Sequence, residues 1–201
     1  MDWGAITSVA VVLFFIMDPL GNMPIFNAVL NHVETGRKVR IAARELVFAL
    51  IVLLVFLYSG NAILSFMGLE ESSLSIAGGV LLFIISLRMI FPRPGRTDDV
   101  DGAEDPFIVP LAIPLVAGPS TIAMLLLLSS QEPDKLTQWT VALLLAWGAS
   151  TIILLAAPFM LKVLGNRGAR ALERLMGMIL IILATQMLLN GIRDFITTLS
   201  A

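Results

Sequence analysis

The stretch Ile16–Phe26, IMDPLGNMPIF, decides how this chain is read. It sets Asp18, Pro19, Gly21, Asn22 and Pro24 inside a run that is otherwise apolar. From Trp3 to Val33 the only formal charge is Asp18. A continuous helix over that run would reach about 46 Å at about 1.5 Å per residue. The hydrocarbon core of a bilayer is only about 30 Å thick. Proline removes a backbone donor and clashes with the preceding turn, so two prolines with a glycine between them predict a broken helix. Asp18 lies about 22 Å along from Trp3 by the same rise, inside the hydrocarbon layer.

The surrounding chain is membrane-like throughout. It is 58% hydrophobic and 14% charged, against about 45–50% and about 25% in ordinary globular chains. Leu46 to Leu69, Pro106 to Gln131 and Leu136 to Leu161 carry no charge. Each is longer than the roughly 20 residues a spanning helix needs. Six spans are expected, at about 3–31, 41–66, 72–91, 106–130, 137–161 and 172–195. The expected fold is an all-α polytopic membrane protein. The first span has no basic leader and no small-residue cleavage site, so it is not read as a cleaved signal. With no cysteine, disulfides, thiolate metal sites and thiol chemistry are excluded.

Basic residues fall on one side of the expected spans. Arg37, Lys38, Arg40 and Arg44 border the first link. Arg88, Arg93 and Arg96 border the third. Lys162, Arg167, Arg170 and Arg174 border the fifth. Only Lys135 and Arg193 lie opposite. Retained positive charge marks the cytoplasmic side, so both termini are expected outside. The third link is the one polar stretch, and its Pro, Gly and acids read as a connector. It divides the chain into 1–92, a linker at 93–104, and 105–201.

Each half then holds three spans, so the second half enters the membrane inverted relative to the first. PLGNMP at 19–24 has a counterpart in PLVAGP at 114–119. AGGVLLFIISLRM from Ala77 aligns with MGMILIILATQML from Met176, pairing Gly78 with Gly177 and Ser86 with Thr185. Inverted repeats with interrupted spans at matching positions point to a transporter site. Pro19, Pro24, Pro114 and Pro119 are the expected helix breaks. Broken backbone at that depth persists only where protein covers it or a cavity lies beside it.

A helix that restarts after a break exposes unpaired N–H groups and a positive dipole end, which favour carboxylates. The candidate substrate-binding residues are Asp18, Gly21, Asn22, Ala117, Gly118, Ser120 and Thr121. A small zwitterion suits them, with dipole ends for its carboxylate and Asp18, Asn22 or freed carbonyls for its ammonium. Asp18 has two compatible readings: a cap for the restarting helix, or an ion-binding group coupling a proton or sodium. Position 113 is Ile113, so the second half has no matching acid.

Other polar residues have blander readings. Ser86, Thr185, Gln186 and Asn190 are expected to bond between packed helices more often than to line a path. Glu45 reads as an interfacial partner of Arg44. Arg88 reads as snorkelling, and His32 as edge-located. Gly78, Gly79 and Gly177 read as close helix contacts, and the scattered methionines as packing. No catalytic or phosphate-loop motif is present, so no enzyme, cofactor, metal or nucleic-acid partner is expected.

MDPLGNMPIF (17–26) and DPFIVPLAIPLVAGPSTIA (105–123) resemble the MarC family of inner-membrane proteins. RELVFALIVLLVFL (44–57), LLLAWG (143–148) and LERLMGMILIILATQMLLNGIR (172–193) look nearest its YhgN-like members. The resemblance runs along nearly all of the chain. It implies a bacterial inner-membrane protein of two inverted three-span repeats, with the first and fourth helices broken. Some members transport small neutral amino acids such as glycine and alanine. The expected function is therefore secondary transport of a small neutral amino acid or similar metabolite, with possible coupling to H+ or, less favoured, Na+. The competing readings are a channel or passive pore, an exporter of another metabolite, and a non-transporting membrane stress factor.

Overall fold

A computed structural model describes residues 2–31, 35–68, 70–91 and 116–199. Seven helices follow one another: α1 (Trp3–Met17), α2 (Pro19–Asn31), α3 (Thr35–Met67), α4 (Glu71–Ile90), α5 (Pro119–Gln131), α6 (Leu136–Leu155) and α7 (Ala157–Leu199). A single 3-10 turn, Pro133–Lys135, joins α5 to α6. The linker at 93–104, His32, Pro114 and the first part of the fourth expected span lie outside the described residues. Among the described residues, five helical stretches are long and apolar enough to cross a membrane. The fold is all-helical and of the polytopic membrane kind.

Local chemistry sets the boundaries. The Asp2 carboxylate accepts from the N–H groups of Gly4 (2.9 Å) and Ala5 (3.2 Å) and so caps α1. The fifth expected span ends earlier than 161. α6 stops at Leu155, and a new helical stretch opens at Ala157 with Pro158 in its first turn. Proline is tolerated there because first-turn N–H groups have no intrahelical partner. α7 is itself interrupted at Gly165, whose φ of 62° and ψ of 176° suit glycine alone.

Packing is reciprocal between the two halves. α5 packs against α3 and α4, while α2 packs against α6 and α7. α3 meets α6, and α4 lies along α7. The α4–α7 contact follows from spacing. Ser72, Gly79 and Ser86 recur every seven residues on α4, and Gly177, Ala184 and Gly191 do so on α7. A Cβ added at Gly79 would stand 3.0 Å from the Ala184 carbonyl oxygen. One at Gly177 would stand 3.1 Å from the Ser86 oxygen, and one at Gly191 3.0 Å from that of Ser72. The helices therefore run antiparallel with their backbones nearly touching. Small residues allow such an approach, and dispersion and interhelical hydrogen bonds then hold it where lipid supplies no hydrophobic drive. Ser75 supplies one such bond, donating to the Met187 carbonyl at 2.9 Å.

Two main buried clusters result. One joins Leu13 and Met17 to Phe26, Leu46, Leu53, Ala117 and Leu143. The other joins Ile16 to Leu82, Met89, Leu180 and Ala184. Large apolar side chains such as Val55, Ile152 and Ile182 point outward instead. That inside-out apolarity is what a lipid surround permits and water would penalise.

Candidate functional site

The first break is made by one residue. Asp18 adopts the left-handed conformation (φ 45°, ψ 58°), the only positive φ outside glycine among the described residues. Its N–H donates to the carbonyls of Phe14 and Phe15, both at 3.1 Å, and closes α1. Its side-chain Oδ1 accepts from Gly21 N–H at 3.1 Å, and its carbonyl accepts from Asn22 N–H at 3.1 Å, which opens α2. Aspartate is among the few L-residues that visit this region readily, because its short side chain bonds locally. The capping role anticipated for Asp18 is therefore present in the geometry. Asn22 completes the junction: its Nδ2 donates to the Met17 carbonyl at 3.1 Å, one of the acceptors freed where α1 ends.

Gly21 is required here. A Cβ at that position would overlap the Asp18 carboxylate and stand 2.6 Å from Met89 Cε. Asp18 is buried, at 7% exposure, whereas Gly21 and Asn22 are half-buried.

The start of α5 is built differently. Gly118 is the extended N-cap of α5 (φ −67°, ψ 161°) and Pro119 its first residue. Ile122 N–H bonds to the Gly118 carbonyl at 3.0 Å, but no side chain caps this helix start. Ser120 and Thr121, in the first turn, are 3% and 1% exposed, and Ala117 is buried beside them in sequence. Ala117 shares one buried cluster with Met17 and Phe26, which flank the first break. The first break and the start of α5 thus border the same core, and α5 touches α1.

Two details differ from the sequence reading. Pro24 does not break a helix; it lies inside α2, well past its start. The left-handed turn at Asp18 has already interrupted the helix, and the missing N–H of Pro24 costs one bond on an established helix. The corresponding starts are Pro19 and Pro119, each opening a 13-residue helix. Ser86, Thr185, Gln186 and Asn190 also separate. Ser86 is fully buried and donates to the Phe83 carbonyl at 2.8 Å. Thr185, Gln186 and Asn190 lie on the exposed face of α7, where Thr185 bonds to Ile181 and Gln186 to Asn190. Arg88 is exposed at the end of α4, and Glu45 pairs with Arg44 at 2.9 Å.

Two residues at this level escaped the sequence reading. Ser150 on α6 is wholly buried, with its Oγ 3.7 Å from Met17 Sδ, directly beside the first break. Trp147, one turn earlier, donates Nε1–H to the Leu46 carbonyl at 2.8 Å and ties α6 to α3. The tryptophan within the apolar run LLLAWGAS was the available signal, since its indole N–H needs a partner when buried.

A cavity of about 690 Å³ opens away from the breaks. It lies among the ends of α3, α4, α5 and α7, lined by Ser65, Glu70, Glu71, Ser72, Ser130 and Asp194 among others. Among the described residues, no group of three potential metal ligands occurs.

The model of the MarC family of integral membrane proteins matches residues 3–196. The chain belongs to the MarC family. It is accordingly a multi-pass integral membrane protein. UPF0056 inner membrane protein YhgN of Escherichia coli (strain K12) is 53% identical over 94% of this chain and 96% of its own length. A UPF0056 membrane protein of Buchnera aphidicola subsp. Baizongia pistaciae is 47% identical over 94% of this chain and 97% of its own. A more distant MarC-type relative, membrane protein PYRAB13050 of Pyrococcus abyssi, is 34% identical over 90% of both chains. No solved structure matches the chain.

Proposed function

We propose that this MarC-family protein is a secondary transporter of small neutral amino acids or similarly small zwitterions, and not an enzyme. The observation that carries the reading is the pair of helix starts, Asp18–Pro19 and Gly118–Pro119, bordering one core. Interrupted helices at membrane depth are how many transporters expose backbone groups to a substrate. The reciprocal packing of α2 and α5 supports an arrangement of two inverted three-span repeats. The basic-residue asymmetry supports placing both termini outside, and the name of the Escherichia coli relative, which assigns that protein to an inner membrane, supports the same membrane here.

The two restarts divide the substrate between them. Asp18 already supplies a carboxylate to the start of α2. The start of α5 has no such cap. A substrate carboxylate is therefore assigned to the first-turn N–H groups of Ser120 and Thr121, where the positive dipole end is unanswered. Its ammonium is assigned to the side of Asp18 and Asn22. The tight burial of Asp18, Ser120 and Thr121 fits a closed state. Access then requires one helix group to shift against the rest, with H+ or, second, Na+ as the coupling ion at Asp18.

Purified protein in liposomes tests this with glycine, alanine, serine and threonine, with and without a pH gradient. Saturable uptake and counterflow are expected. Absence of uptake, exchange and ligand-induced thermal shift across the panel would sink the substrate class, and flux without saturation would indicate a pore. Asp18→Asn separates capping from coupling, because asparagine caps equally well. Unchanged pH dependence in that variant would refute coupling through Asp18.

A further inference from the structure

The exposed face of α7 changes character along its length. Arg167, Arg170 and Arg174 fall at spacings of three and four, and so share one side of the helix. With Ala171 they line a shallow cavity of about 270 Å³. The same side continues as Leu175, Met178 and Ile182, all exposed. The basic stretch covers about 10 Å and the apolar stretch a further 10 Å or so. Half of a hydrocarbon core is about 15 Å. A free inorganic anion has no use for the apolar continuation. A phospholipid uses both parts at once, headgroup against the guanidinium groups and acyl chain along Leu175 to Ile182.

The chain just before this face is shaped for the same level of the bilayer. Gly165 interrupts α7, and the stretch ahead of it exposes Phe159 and Val163 one turn apart with Lys162 between them. Exposed apolar residues beside basic ones belong at the boundary between headgroups and acyl chains. Charge complementarity then selects among lipids. Three guanidinium groups against the one neighbouring carboxylate, Glu173, which acts on Arg174, leave a net positive charge that favours a net negative headgroup over a zwitterionic one, and guanidinium binds phosphate oxygens in bidentate fashion.

We propose that Arg167, Arg170 and Arg174, with the apolar stripe Leu175–Met178–Ile182, form a binding site for one anionic phospholipid on the outer side of α7. The site is defined by its own residues on α7, and its occupancy is tested without reference to what the protein transports. It ties the lipid to α7, which is also the partner of α4 and α2, so occupancy should stiffen that helix group.

Native mass spectrometry and thermal unfolding of the full chain in detergent, titrated with phosphatidylglycerol, phosphatidylcholine or inorganic phosphate, test the proposal. Retained phosphatidylglycerol adducts and a raised melting temperature are expected, with neither from phosphatidylcholine or phosphate. The double variant Arg170→Gln/Arg174→Gln should weaken the phosphatidylglycerol effect about 30-fold, at about fivefold per arginine. Met178→Asp, which retains the arginines, should also weaken it, because the acyl contact becomes polar. Equal effects of phosphate, equal effects of phosphatidylcholine, or full retention in the arginine variant would each overturn the proposal. If the arginine variant does not fold, the three-ligand comparison on the unmodified protein decides alone.

Discussion

Replacing Asp18 by asparagine, glycine or alanine isolates what holds the first helix break together. The three variants share the loss of a buried carboxyl group, so differences among them report mainly backbone and capping terms. Alanine loses the side-chain acceptor that holds Gly21 N–H at 3.1 Å, which costs about 0.5–2 kcal/mol, whereas glycine at a cap costs a few tenths. Alanine must also keep φ at 45° with a Cβ and no local bond, which costs about 1–2 kcal/mol. Glycine escapes that cost, and asparagine meets both demands. Alanine should therefore lie about 2–3 kcal/mol below the other two. For a chain of this size that is about 5–10 °C in melting temperature. Intrinsic tryptophan fluorescence during thermal unfolding in detergent would measure it. If alanine melts within a degree of asparagine and glycine, the left-handed turn at Asp18 is not what the first break rests on.

Further substitutions test the packing and the proposed site. Gly79→Ala places a Cβ 2.8 Å from Leu188 Cγ and 3.0 Å from the Ala184 oxygen, so it should destabilise by about 1–3 kcal/mol. Gly148→Ala meets nothing within 4 Å and should gain up to about 1 kcal/mol through helix propensity; the same melting assay compares the pair. Ser75→Ala should cost about 0.6 kcal/mol by removing the bond to Met187. Gly118→Leu leaves a backbone conformation open to any residue (φ −67°), so under the transport reading it should abolish uptake in liposomes while far-ultraviolet dichroism stays unchanged.

Much of the architecture was legible because the membrane simplifies the code. Uncharged blocks such as Leu46 to Leu69 can do little in a soluble fold; α3 covers its expected span, α4 matches its own to within a residue, and α6 starts where its block starts. Less legible were junctions whose chemistry is local and polar. The end of α6 at Leu155 depends on Pro158 two residues into the next helix, and an apolar run gives no warning of it. The α4–α7 seam was half visible. Gly79 and Gly177 read as contacts, but the seven-residue ladder that includes Ser72, Ser86, Ala184 and Gly191 mixes three kinds of small residue into one stripe. Burial of Ser150 beside Met17 needed the third dimension altogether.

The proline pattern admits a second alignment. Matching PLGNMP to PLVAGP pairs Pro19 with Pro114 and Pro24 with Pro119. The helix starts instead pair Pro19 with Pro119. Under that pairing Asp18 stands opposite Gly118, and Gly21 opposite Thr121. The first helix start has a carboxylate cap and needs glycine at its third residue to make room for that carboxylate. The second has a bare glycine cap and can afford a hydroxyl at the third. One start thus carries a side-chain cap, and the other carries none. Under the transport reading proposed above, two starts so unlike suit one ligand with two unlike ends. That asymmetry, more than the prolines themselves, favours a zwitterion over a simple anion, and saturable alanine uptake unaffected by acetate or lactate is its expected consequence. Competition by either acid comparable to that by alanine would refute it.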